Sequence, residues 1–123
     1  MFYDKNNEEL TADRFVNPDS TYRGAPFWAW NTDLKKDELI RQIGELKKMG
    51  FGGFFMHTRA GMNTPYLGDE FMELIRACRD EAKKHDMLAY LYDEDRWPSG
   101  AAGGIVTENP DYRVRYLVFS RDE

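Results

Sequence analysis

The chain has 123 residues, 41 % hydrophobic and 15 % aromatic. That is enough apolar side chain for one packed domain and too much for a disordered segment. The net charge is −5 and the pI about 5.1, with Lys and Arg interleaved among the acids, so neither a basic face for nucleic acid nor an apolar run of membrane-spanning length is present.

The opening "MFYDKNNEEL" is polar and lacks the apolar core of a signal peptide. The one cysteine, Cys78, cannot form an internal disulfide and reads as a small buried residue, which suits a reducing, cytoplasmic location. Residues 1–24 carry Pro18 and Gly24 and no clear period. They read as an irregular lead-in to one domain over 25–123.

"PFWAW" (26–30) is short, apolar and aromatic, and predicts a first strand. Asn31, Thr32 and Asp33 are helix N-cap types. Apolar residues at 34, 39, 40, 43, 46 and 49 form the stripe of an amphipathic helix, stopped by Gly50. "FGGFFMH" (51–57) predicts a second strand, buried on both faces as in a parallel sheet. A loop follows, then a second amphipathic helix over roughly 69–85, with Asp86 where a Gly often ends a helix. "MLAYLYD" (87–93) predicts strand three, and "YRVRYLVF" (112–119) a fourth.

The pattern is β-α-β-α-β with right-handed crossovers. It then breaks, because no helix connects strand three to the fourth. A (β/α)8 barrel needs about 250 residues. The expected fold is therefore α/β, the start of a TIM barrel with parallel strands and an extra C-terminal strand.

In such folds ligands bind at the C-terminal ends of the strands. Here those ends are Trp30-Asn31, His57-Thr58-Arg59 and Asp93-Glu94-Asp95. Asp93 and Asp95 share a face if the strand persists, and paired acids can divide acid and base roles or hold adjacent hydroxyls. Trp28, Trp30 and Trp97 offer rings that stack on sugars. The plainer alternative for the three acids is a solvated turn, with one of them capping a helix or pairing Arg96.

His57 is a candidate acid, base or hydroxyl ligand, or else a structural histidine. Arg59 suits a carboxylate or a ring hydroxyl, or else an ion pair with the strand-three acids. No metal is expected, since HxH, HExxH and CxxC are all missing. A Ca2+ ion on Asp93 or Asp95 stays open, without EF-hand spacing. "SGAAGG" (99–104) is neither GxGxxG nor a P-loop, so a nucleotide is the weakest of the ligands considered. No cofactor is expected.

"PFWAWN", "GFGGFFMHTRAGMNTPYLG" and "YLYDEDRWPSGAAGG", in that order, resemble the opening of the catalytic barrel of large bacterial glycoside hydrolases related to the α-L-rhamnosidases of family 106. The resemblance spans roughly residues 15–106. Its most specific part is the acid-rich run before Trp-Pro-Ser-Gly. It implies a sugar-binding rim in which Trp30, Asn31, His57, Arg59, Asp93 and Trp97 contact substrate. An acid or base within this stretch would be Glu94 or Asp95. In related barrels the catalytic carboxylates usually lie on later strands. Such sequences often cap the first helix with Thr, where this one has Lys35.

Two functions follow as expectations. The first is a piece of a glycosidase that binds carbohydrate but is inactive alone. The second is a non-catalytic small α/β module that binds sugar or self-associates. If the chain ends at Glu123, its uncovered faces predict a homo-oligomer.

Overall fold

The computed structural model describes residues 11–96 and 100–121. Its frame is a parallel sheet of β1 (Phe27–Trp30), β2 (Gly53–Thr58) and β3 (Leu88–Asp95), in the order β1-β2-β3. Two helices, α2 (Lys36–Lys48) and α3 (Asp69–Lys84), make the crossovers. This is an open α/β sheet with alternating helices, the arrangement with which a (β/α)8 barrel begins. A shorter helix, α1 (Ala12–Val16), and a 3-10 turn (Ser20–Tyr22) precede it.

Both crossover helices end in the same way. Gly50 takes φ +88, its N–H bonds to the Lys47 carbonyl, and the Phe51 N–H reaches back to Leu46. Asp86 takes φ +52, its N–H bonds to Lys83, and Met87 reaches back to Ala82. These are Schellman closures, in which a left-handed residue lets two amides satisfy the last free carbonyls. The hydrophobic residue that follows each closure leads into the next strand.

The core lies on one face of the sheet. Trp30, Phe54 and Met56 point at α2 and α3 and meet Leu39, Ile43, Phe71, Leu74 and Cys78. Trp30 stands edge-on to Trp28 and to Phe71. The opposite face carries Phe27, Phe55, His57, Tyr90 and Tyr92 as a contiguous ring cluster, with Phe55 stacked on Tyr90 at 4.4 Å. Phe27 on that face is 64 % exposed. Only one face of the sheet is covered among the described residues. The continuous apolar run 51–57 is thus half core and half open aromatic surface.

The lead-in closes the N-terminal ends of the strands. The Ser20 hydroxyl donates to the Asp86 carbonyl, and the Arg23 Nε donates to the Pro18 carbonyl at 2.8 Å. A Cβ on Gly52 would lie 2.1 Å from the Ser20 carbonyl oxygen, so only glycine lets the chain cross there.

Two expectations need correction. The first helix starts at Lys36, and its N-cap is Lys35, which makes no side-chain capping bond. Asn31, Thr32 and Asp33 instead form the loop above β1. The fourth strand over 112–119 does not form. Pro110–Tyr112 is a 3-10 turn, and the residues after it run without partner strand, with Val114, Leu117 and Phe119 each at least 85 % exposed. A β-prone sequence is a strand only where a sheet edge receives it.

Candidate functional site

The loop after β2 crosses the end of β1. The Arg59 N–H donates to the Trp30 carbonyl at 2.9 Å, and Gly61 at φ +104 brings its Cα close to the Asn31 carbonyl. A Cβ at Gly61 would come within 2.5 Å of that oxygen. Thr58 ties β2 to β3. Its hydroxyl donates to the Glu94 carbonyl at 2.6 Å and accepts the Arg96 N–H at 3.3 Å. Thr58 is 1 % exposed, so this bond is shielded from water. It fixes the point where β3 bulges: Met56 pairs with Leu91 and Thr58 with Asp95, two residues on one strand spanning four on the other. Arg96 then turns out of the strand at φ +63.

The three acids have three different surroundings. Asp93 is exposed, and its carbonyl accepts the Tyr66 hydroxyl at 3.2 Å. The Asp95 side chain is 3 % exposed and paired with the Arg96 guanidinium at 3.3 Å. Gly103 of a 3-10 turn (Ala102–Gly104) closes over it, since a Cβ there would lie 3.2 Å from Asp95 Oδ2 and 3.0 Å from the Tyr66 ring. Glu94 is half-buried. Its Oε2 is shielded from solvent and meets no hydrogen-bond partner among the described residues. A carboxylate oxygen in that condition is a strong acceptor awaiting a donor.

His57 stands on the aromatic face, its ring 4.2 Å from Tyr92. Burial, and next the Arg59 charge, lower its pKa, while Glu94 opposes them. The ring is therefore neutral near pH 7, with one nitrogen to donate and one to accept. Burial raises the Tyr66 pKa, and the carboxylates of Asp95, Asp93 and Glu94 raise it further, so the phenol stays protonated.

Of the residues anticipated from sequence, His57, Arg59, Asp93, Glu94 and Asp95 come together at the C-terminal ends of β2 and β3. Asn31 is exposed beside a cavity of about 160 Å3 that runs between β1 and the start of α2. Trp30 is a correction: it is 1 % exposed and flanked by Trp28 and Phe71, leaving no ring face for a ligand. Trp97 lies outside the described residues. Among the described residues no three His, Cys, Asp or Glu side chains cluster so as to hold a metal ion. Tyr66 and Thr58 were not anticipated. Tyr66 lies in a loop whose Thr-Pro-Tyr-Leu-Gly sequence signals only a turn, and Thr58 sits in plain view at a strand end without any spacing that marks it.

Comparison with solved structures adds one likeness. The fold matches part of a rhamnosidase from Novosphingobium sp. PP1Y. The TM-score is 0.57 and the identity 24 %, over 74 % of this chain and 9 % of that one. The present chain thus spans about a tenth of the length of the structure it matches. No family model and no curated protein matches the chain.

Proposed function

We propose that the chain forms the opening of a glycoside-hydrolase barrel and supplies part of its carbohydrate-binding rim. The observation that carries this reading is Glu94: a shielded carboxylate oxygen without a partner, at a strand C-terminal end, on the same rim as a neutral His57. A sugar hydroxyl is the kind of donor that fills such a place, and the rings of Tyr92 and Phe27 beside His57 provide an apolar wall for a sugar face. Arg59, Asp93 and Asn31 are further polar groups at the strand C-terminal ends and would bind further hydroxyls. The fold likeness to a rhamnosidase supports a glycoside, and makes a 6-deoxyhexose such as L-rhamnose the first ligand to try.

Glycoside hydrolysis uses two carboxylates about 5–10 Å apart, one on each side of the scissile bond. Asp95 is closed off beneath Gly103 and engaged with Arg96, so it serves to hold the rim in shape. Of Glu94 and Asp95, Glu94 is the one that could face a substrate. Its catalytic counterpart would come from elsewhere in a complete barrel, so the chain by itself binds without turnover.

Titration of the isotopically labelled chain with L-rhamnose tests this. The His57 ring and Tyr92 signals should shift in a saturable way. Glu94→Gln should weaken binding about three- to tenfold, because it exchanges a charge-assisted hydrogen bond of roughly 1.5–3 kcal/mol for a neutral one about half as strong. No shift with rhamnose or any other hexose at millimolar concentration would sink the proposal.

A further inference from the structure

The segment 113–119, "RVRYLVF", carries no regular secondary structure and is solvated although its residues favour strands. Val114, Tyr116, Leu117, Val118 and Phe119 are 78–91 % exposed. Such a run in water is a strand without a sheet. The sheet of this molecule ends at β3, beyond which no strand pairs among the described residues. The segment does not lie on the β3 of its own chain, as its exposure shows.

We propose that residues 113–119 add to β3 of a second copy of this chain as an antiparallel edge strand, and that the exchange is reciprocal across a two-fold axis. The register is set by the side chains. Placing Leu117 opposite Leu91 of the second copy covers a β3 residue that is 45 % exposed in the single chain. The same register sets Arg115 opposite the exposed Asp93 and Tyr116 opposite Tyr92, so a charge pair and an aromatic pair form together. A shift of one residue breaks all three, since it turns each tail side chain to the other face. The bond that holds Arg115 now, to Asp111 at 3.2 Å, joins two groups that are 76 % and 80 % exposed and is readily exchanged. The reciprocal exchange covers both β3 edges and uses both tails, so this contact closes at a dimer.

This inference concerns the free β3 edge of the 123-residue chain and not the sugar pair, because Glu94 and His57 are untouched by the variants below; Asp93, an outer rim position, changes only in the charge-swap control, which is read by sedimentation alone. Sedimentation equilibrium of the 123-residue chain is the experiment. A dimer of twice 14.4 kDa is expected. Leu117→Asp should weaken it about tenfold or more, and Arg115→Glu about fivefold. Combining Arg115→Glu with Asp93→Arg should restore most of the loss. All three positions are exposed, so folding is kept, which circular dichroism checks. A monomer at high micromolar concentration would overturn the proposal, whether or not hydrogen exchange shows the tail folded back on its own β3. So would a dimer that Leu117→Asp leaves unchanged, which would move the interface to the aromatic sheet face.

Discussion

His57 and Glu94 meet on one rim under different constraints. His57 is held below its ordinary pKa of 6.5, first by burial and then by Arg59. The sign of the stability effect follows from which state binds protons more readily. As pH falls through 6.5, the unfolded chain protonates this ring before the folded one does, and stability is lost. The loss ends once the pH passes below the folded-state pKa. His57→Gln should flatten this slope between neutral and mildly acidic pH, which urea unfolding at several pH values measures. A slope that persists in full would assign it to the carboxylates. Trp30 teaches the complementary lesson at the same scale. In sequence it is as good a sugar-stacking ring as any, yet the alternation of β1 sends Phe27 out and Trp30 in. Trp30→Ala should cost about 3–5 kcal/mol, the range for a large buried aromatic, without a specific effect on ligand contacts.

At the scale of elements, the helix starts are weaker than the helix ends. Lys35 occupies the N-cap of α2 with extended backbone, φ −115 and ψ 125, the geometry a Thr or Asp would use to cap. Lys35→Thr should raise stability by about 0.5–1 kcal/mol, read as a higher urea midpoint at unchanged slope. Gly52→Ala tests the opposite case. The added Cβ must displace the Ser20 backbone, and a cost of about 1–3 kcal/mol is expected. The strands, crossovers and both Schellman ends were legible in the sequence because each depends on a local pattern: an apolar run, a 3.6-residue stripe, a Gly or Asp at the turn. The tail misled for the same reason. Its strand propensity is local and real, whereas whether a sheet edge receives it is decided by tertiary structure and not by the local pattern. Of the residues that sequence set at the strand ends, the structure gathers His57, Arg59, Asp93, Glu94 and Asp95, while it buries Trp30 and sets Asn31 beside a separate cavity. What was hidden was the division of labour among Asp93, Glu94 and Asp95. That division arises from the β3 bulge and from Gly103, eight residues beyond the last acid, folding back over one of them.

For the whole molecule, the arithmetic of burial decides what it does in solution. One face of the three-stranded sheet carries the core, and the other presents Phe27, Phe55, His57, Tyr90 and Tyr92. A short sheet with one helical layer buries a small share of its surface, so an isolated chain of this design is only marginally stable. Any association that occurs with the folded state alone adds to its stability by mass action. The melting temperature should therefore depend on protein concentration. For a dimer of this size, with an unfolding entropy of about 2.1 cal/mol/K per residue, a tenfold rise in concentration should raise Tm by about 2–3 °C. Leu117→Asp should abolish that dependence while leaving the dilute-limit Tm in place, because the residue it changes is exposed in the single chain. Scanning calorimetry over two decades of concentration separates the cases. A Tm that is constant in the unmodified chain means the open aromatic face and the β3 edge are tolerated by a monomer, and stability must then be sought in the core around Trp30, Phe54 and Phe71 alone.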